Sequence, residues 1–470
     1  MVPPATSLLR LAPAALLHAR SARIWLDARL LPAPAQPAHP ANHLTVPPVL
    51  RPDDAPQLPL SSHQALALLL AMWRCSSGAD SDTAASGEAF NLDAFLRTTP
   101  RSYDTVPLSW TLGDATSFAD ELLAALSPHV RTQCAAVQAR FERDWAAVDH
   151  ARRHSPHLLQ PRVPLAPTSI ADPATFSRAD YLWGWLSVNS RCLHLPLGLK
   201  PHGDNLTLAP LLDMANHTCD ARQECSVRHT PLGGLELVSP PKTRRAEALA
   251  AGAEVCITYG AHSSGTLLSE YGFVLARERP PDAAEPPEWT DSPYAEVNVD
   301  AAVIALLAAQ GELGARKREV LQERGYWLDY TLHPSPAPAH PSHRLVPALR
   351  LLALPELPAS LENTQHTAYP HTRAAPPPAP ASAAADGMRA WDATLLGLRE
   401  RVDAANETAA RALLRRICEE FDADGRARLA RLDAQPPEMP AARQMIRALA
   451  HEELRVVRRV LSALDAGVSW

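Results

Sequence analysis

The sequence predicts an α+β protein, and three observations carry that reading. Apolar residues recur at helical spacing from about residue 62 to Arg191. Between Thr207 and Phe273 the pattern changes to short runs of period two, separated by Gly and Pro turns. After about Pro293 the helical pattern returns and continues to Trp470. At 470 residues, 46% of them apolar, the chain is long enough for two or three domains of about 100–200 residues each.

Each element follows from local pattern. Residues 1–26 contain no acidic side chain and carry Arg10, Arg20 and Arg23, a composition shared by organellar transit peptides and by first helices of Arg/Ala-rich domains. Ser62–Cys75 is an apolar-faced helix with a Ser start signal. A Gly/Ser/Asp loop at 76–87 precedes helical stretches at 117–126 and 131–153. A Pro-rich break at 155–168 leads into Ala174–Arg191, whose Trp183, Leu186 and Val188 share a buried side. Leu235–Val238 and Glu254–Thr258 are the alternating runs. Val303–Ala309 and Ala348–Leu354 are short apolar segments; Ala404–Leu432 and Pro440–Leu464 are long amphipathic helices. The 46 prolines are about twice ordinary usage. They cluster in Leu31–Pro59, Pro334–Pro347 and Pro370–Pro380, which read as linkers or extended loops.

Composition narrows the function. A net charge of −6 without a long basic block gives no support to a nucleic-acid partner. Seven scattered cysteines with no Cys-x-x-Cys suit a reducing compartment, the cytoplasm or nucleus; the Arg/Leu-rich start offers the mitochondrion as the alternative. No apolar run approaches the roughly 20 residues that span a bilayer, so no membrane partner is expected.

The chemistry concentrates in two strings and a coda: Pro210-Leu-Leu-Asp213-Met214-Ala215-Asn216-His217, then Gly252-Ala-Glu254-Val-Cys-Ile-Thr258-Tyr259-Gly260, then Glu270-Tyr271-Gly272-Phe273. Taken alone, Asp213 and Asn216 are residues that cap turns, Tyr259 and Tyr271 are core or rim aromatics, and Arg191 complements a helix dipole. His217, Cys219, Cys225 and His229 fit no standard zinc spacing, so no metal is expected. Asp422-Ala-Asp424-Gly425 echoes a calcium loop, but its later ligands are replaced; it reads as a helix-breaking turn.

Together, the ordered strings resemble the signature of SET-domain protein methyltransferases, in the Rubisco large-subunit and ribosomal-protein lysine methyltransferase-like branch: D-x-x-N-H, G-E-E-V-x-I-x-Y-G, Y-G-F. The resemblance implies a SET β-fold with a pseudoknot over 44–275, split by a helical insertion at about 61–191. It implies an all-α C-terminal domain over 293–470, with Pro-rich loops at about 334–347 and 370–386, that docks a protein substrate. Residues 1–43 would be an incomplete SET start, or a targeting or disordered segment. S-adenosylmethionine is the implied cofactor and Tyr259 the catalytic residue. Arg191, Asp213, Met214, Ala215, Asn216, His217 and Tyr271 are the implied cofactor contacts, and a monomer is expected. Leu44-Thr-Val-Pro47 resembles the family strand ending in I/V-P, with Ala41-Asn42 where G-E is usual. The chain departs from the pattern in having no glycine before Gly78, whereas the family opens with a G-x-G strand.

The implied reaction is direct displacement of a methyl group by a lysine amine, on a non-histone protein such as a ribosomal one. Free lysine titrates near 10.4, so fewer than about one in a thousand is neutral at pH 7. An apolar channel helps by disfavouring the ammonium, and alignment supplies most of the rest. Two contrasting readings remain: a catalytically inactive SET-fold scaffold for protein interaction, and a histidine rather than lysine methyltransferase.

Overall fold

The computed structural model of the protein describes residues 3–18, 60–76, 92–112, 116–154, 176–197, 204–241, 249–275, 292–359, 383–435 and 438–470. Its helices and short strands interleave as α+β. The chain divides into two compact units. The first comprises Met1–Ala119, Cys134–His262 and Leu268–Gly272; the second comprises Asp120–Gln133, Ser263–Leu267 and Phe273–Trp470.

The helices of the first half are α1 (Ser62–Ser76), α2 (Leu92–Thr98), α3 (Pro107–Leu112), α4 (Thr116–Ala125), α5 (Pro128–His154) and α6 (Arg178–Arg191). The run Ala65–Met72 is apolar all round and entirely buried, the pattern of a helix inside a core rather than on its surface. Helix α6 lies against α1. Gly184 permits the approach, since a Cβ there would sit 2.4 Å from the Ala67 carbonyl oxygen. A reciprocal capping box of Ser177 and Asp180 starts α6, and Trp185, Tyr181 and Phe141 fill its inner side.

Three small sheets complete this unit. Strands β1 (Ser7–Leu11), β7 (Leu235–Val238) and β6 (Ser226–His229) form one antiparallel sheet in that order. Strands β2 (Leu17–His18), β4 (Leu206–Leu208) and β3 (Cys192–His194) form a second. Strands β5 (Asn216–His217) and β8 (Cys256–Ile257) pair in parallel. Within the segment expected to be targeting, disordered or an incomplete start, Ser7–Leu11 and Leu17–His18 are paired strands joined across a 3-10 turn at Pro13–Ala15, with Leu16 and Leu17 in the core. Leu44–Pro47, the Pro-rich stretches Leu31–Pro59 and Pro370–Pro380, and residues 77–91 and 155–175, with the loop and break expected there, lie for all or most of their length outside the described residues.

The second unit contains α8 (Asp300–Ala309), α9 (Gly311–Glu323), α10 (Leu345–Leu352), α11 (Ala383–Leu395), α12 (Ala404–Asp433) and α13 (Pro440–Asp465). The expectation of an all-α C-terminal domain is corrected by β9 (Val297–Asn298), β10 (Thr331–His333) and β11 (His340–Pro341), which form an antiparallel sheet. Each strand is two or three residues long, too short to show a period-two signal. The proline-rich stretch 334–347 holds β11 and the start of α10, and residues 383–386, read as loop, open α11. Asp422–Gly425 is likewise not a turn but lies inside continuous α12. Gly425 is there for packing, because a Cβ would come 2.8 Å from Leu454 on α13, while Asp422 pairs with Arg426 and Arg458.

Buried polar groups in this unit are mostly paired. Lys317, fully buried, donates to Gln310 Oε1 at 2.8 Å and to the carbonyls of Leu352 and Leu354 at 2.9 and 2.6 Å. It caps carbonyls that the end of α10 leaves open. Glu453 accepts the Ser127 hydroxyl at 2.6 Å, and burial pushes its carboxyl up to about 7, with Arg428 pulling the other way.

Two stability outcomes follow. Gly184→Ala forces its new methyl into the Ala67 carbonyl and destabilises the fold by about 1–3 kcal/mol, read from a denaturant melt. For Glu453 the folded value lies above the ordinary one, so its contribution is full below about pH 4.5 and is lost as pH rises through about 7. Glu453→Gln therefore raises the melting temperature at pH 8 by a few degrees and leaves it unchanged at pH 4; the same gain at both pH values contradicts this.

Candidate active site

The site forms where β5 and β8 lie side by side. Asn216 aligns with Cys256 and His217 with Ile257. The ladder is extended by Thr218 N–H donating to the Ile257 carbonyl at 2.9 Å and Cys225 N–H to the Cys256 carbonyl at 2.8 Å. A parallel pairing cannot be closed by a hairpin, so the two motifs meet only through the intervening fold.

Two side-chain bonds then lock the strands together. The Tyr259 backbone N–H donates to His217 Nδ1 at 3.0 Å, and the Tyr259 hydroxyl donates to the Ala215 carbonyl at 2.9 Å. Because Nδ1 accepts, His217 is neutral; burial, and after it His262, lowers its pKa and keeps it so. Burial also pushes the Tyr259 hydroxyl up to about 12, so it is a neutral phenol at pH 7. Tyr271, near the end of α7 (Ser264–Tyr271), stacks a third ring on the group. The His217–Tyr259 and Tyr259–Tyr271 ring centroids are both 5.2 Å apart. Gly260 turns the chain away with φ +135°; a Cβ there would lie 2.6 Å from His262 Nε2, whose N–H donates to the Tyr259 carbonyl at 3.1 Å.

The loop before β5 is held from α6. Arg191 Nη1 donates to the Asp213 carboxylate at 3.0 Å and to its carbonyl at 3.2 Å. The Asp213 side chain is 1% exposed. Burial raises its pKa, and Arg191 opposes that rise. Arg191 Nε and Asp213 Oδ1 are buried without a hydrogen-bond partner. Leu211 enters the loop with a positive φ of 68°, and it and Met214 are 60% and 53% exposed. Asn216, also exposed, donates its amide to Glu254 Oε1.

Of the residues marked from sequence, Ala215, His217 and Tyr271 each contact Tyr259. Arg191 and Asp213 form a pair beside them, and Asn216 and Met214 face outward. The sequence reading missed Glu254, His262 and the group Arg140–Asn189–Glu270, in which Asn189 Nδ2 donates to Glu270 Oε2 at 3.0 Å and Arg140 pairs with the same oxygen. Their signal was position alone: Glu254 sits inside the second string and Glu270 immediately before Tyr271. Among the described residues no group of three or more His, Cys, Asp or Glu side chains is arranged to hold a metal ion, and no helix is long and apolar enough to cross a membrane.

Comparison with known proteins gives the geometry its context. No family model matches the chain. The ribosomal lysine N-methyltransferase set11 of Schizosaccharomyces pombe is 30% identical over 152 residues, 32% of this chain and 32% of that protein. SET domain-containing protein 4 of Mus musculus is 27% identical over 306 residues, 63% of this chain and 57% of that protein. The curated relatives of the chain are thus SET domain-containing proteins and ribosomal lysine N-methyltransferases. Ribosomal lysine N-methyltransferase 2 of Saccharomyces cerevisiae, 30% identical over 158 residues, covers 31% of the chain and 29% of its own length. The chain spans from about a third to under three fifths of these SET relatives.

The Arg191–Asp213 pair is the site's testable anchor. Arg191→Ala strands a buried carboxylate and destabilises the fold by about 3 kcal/mol. Adding Asp213→Asn recovers most of that loss in the same denaturant melt; an additive double variant would mean that the two side chains act independently.

Proposed function

We propose that the protein is an S-adenosylmethionine-dependent protein-lysine N-methyltransferase acting on a non-histone protein, with a ribosomal protein as the substrate class. The observation that carries the reading is Tyr259. Its hydroxyl donates to the Ala215 carbonyl and its backbone is held by His217, which together fix the direction of the phenol oxygen. A phenol held this way accepts a hydrogen bond from an incoming amine and orients that nitrogen's lone pair. Such positioning is the main part of catalysis for a displacement. The names of the relatives, two of them ribosomal lysine N-methyltransferases, support the same class.

The residues fit the cofactor. Beside the loop lie a buried guanidinium nitrogen and a buried carboxylate oxygen without partners, together with an apolar surface, Leu211 and Met214, left open. Arg191, Asp213, Met214, Ala215, Asn216, His217 and Tyr271 would hold it, and when bound it supplies an activated methyl group. The neutral His217 and Tyr259 keep formal charge away from the amine, which favours its uncharged form. In this reading the parallel β5–β8 crossing belongs to the family's pseudoknot, and the helical unit, about 293–470, docks the substrate protein.

The test is transfer of labelled methyl from S-adenosylmethionine to purified ribosomal proteins, with hydrolysis to identify the modified amino acid. Labelled N-methyllysine is expected; methylhistidine, or no transfer by a chain that binds cofactor, would contradict the lysine assignment. Tyr259→Phe should lower turnover by roughly 10²-fold with cofactor affinity nearly unchanged, whereas Asn216→Ala should weaken cofactor binding itself. Equal loss of binding in both variants would refute that division of roles.

A further inference from the structure

We propose that Glu270 is a positioning residue for Tyr271: held by Asn189 and Arg140, it fixes the Tyr271 ring against Tyr259. The inference rests on the reading above, in which Tyr271 lines the cofactor pocket.

Two neighbouring helices reach this residue on α7. From α6, Asn189 Nδ2 donates to the Glu270 carboxylate at 3.0 Å and to the Glu270 backbone carbonyl at 3.1 Å. That carbonyl is in the last turn of α7, where backbone acceptors have no helical partner. From α5, Arg140 Nη2 donates to the same carboxylate oxygen at 2.5 Å. Arg140 is itself steadied over the Trp185 ring at 5.6 Å. Trp185 in turn donates its indole N–H to Asp144 at 2.8 Å, where Gln64 of α1 also donates. The core of the unit is therefore linked, bond by bond, to the residue before Tyr271.

The residue after Tyr271 is fixed as well. Gly272 ends α7 at φ +80°, and a Cβ there would lie 2.8 Å from Thr105 Oγ1 and 3.0 Å from the Val106 backbone nitrogen. Tyr271 thus stands between two immobilised neighbours, with the Tyr259 ring 5.2 Å and the His262 ring 6.1 Å away. Stability is a poor explanation for the Arg140–Glu270 pair. Arg140 is 42% exposed, and pairs that solvent reaches contribute little to folding. The doubled contact from Asn189, to side chain and backbone together, sets orientation instead.

The experiment is calorimetric titration of the full chain and its variants with S-adenosylhomocysteine. Glu270→Ala should weaken binding about tenfold. Glu270→Gln, whose amide oxygen still accepts from Asn189, should stay within about threefold of wild type. In a Tyr271→Ala background, Glu270→Ala should cost less than about twofold, because the ring it positions is gone. An unchanged affinity in Glu270→Ala, or an equal loss in both backgrounds, overturns the inference. Should Glu270→Ala fail to fold, Asn189→Ala removes both contacts from the other side and must give the same tenfold loss. Failure of folded wild type to bind overturns the cofactor reading and this inference together; binding by wild type with an unaffected Glu270→Ala overturns only the inference.

Discussion

The site depends on one short crossing, the parallel pairing of Asn216–His217 with Cys256–Ile257. Two residues on each strand are too few to hold a sheet by ladder bonds alone. The pairing is completed by side chains acting on backbone: His217 on the Tyr259 amide and the Tyr259 hydroxyl on the Ala215 carbonyl. Each motif therefore supplies the missing bond of the other. Arg191 fixes the approach to β5 through Asp213, and Gly260 turns the chain away after β8. The aromatic group of His217, Tyr259 and Tyr271 exists because these constraints meet at one point.

Burial then decides the protonation states. The Tyr259 hydroxyl is pushed to about 12 and His217 is lowered, both chiefly by desolvation. At neutral pH the pair presents a phenol and an uncharged imidazole. The charged groups beside the pair are themselves partnered: Arg191 with Asp213, Arg140 with Glu270, and Glu254 with the Asn216 amide. For the lysine methylation proposed above, these uncharged neighbours would favour the amine over the ammonium, a form that water at pH 7 scarcely provides.

Much of the fold was legible because helices announce themselves. Ser62–Cys75, Ala404–Leu432 and Pro440–Leu464 were read within a residue or two of Ser62–Ser76, Ala404–Asp433 and Pro440–Asp465. The strands were harder. Ser7–Leu11 runs Ser-Leu-Leu-Arg-Leu, with a bulge between Ser7 and Leu9 that breaks the alternation a reader would seek. The sheet at Val297–Pro341 is built from pieces shorter than any periodic signal. Asp422–Gly425 misled because Asp and Gly favour turns, while the long helix and its Leu454 neighbour override that preference. In the site, the ordered strings marked Tyr259, His217 and Tyr271. Glu254 and Glu270 were invisible as contacts because their partners, Asn216 and Asn189, lie 38 and 81 residues away in sequence.

Residues 210–219 and 255–262, with Tyr271, are proposed to form a single cofactor site. Hydrogen–deuterium exchange of the full chain with and without S-adenosylmethionine, followed by mass spectrometry of its peptides, tests it most directly. Saturable protection is expected in peptides covering both segments together, the Tyr259 amide among them. Protection of one segment alone, protection confined to other parts of the chain, or no change in a folded protein would contradict it.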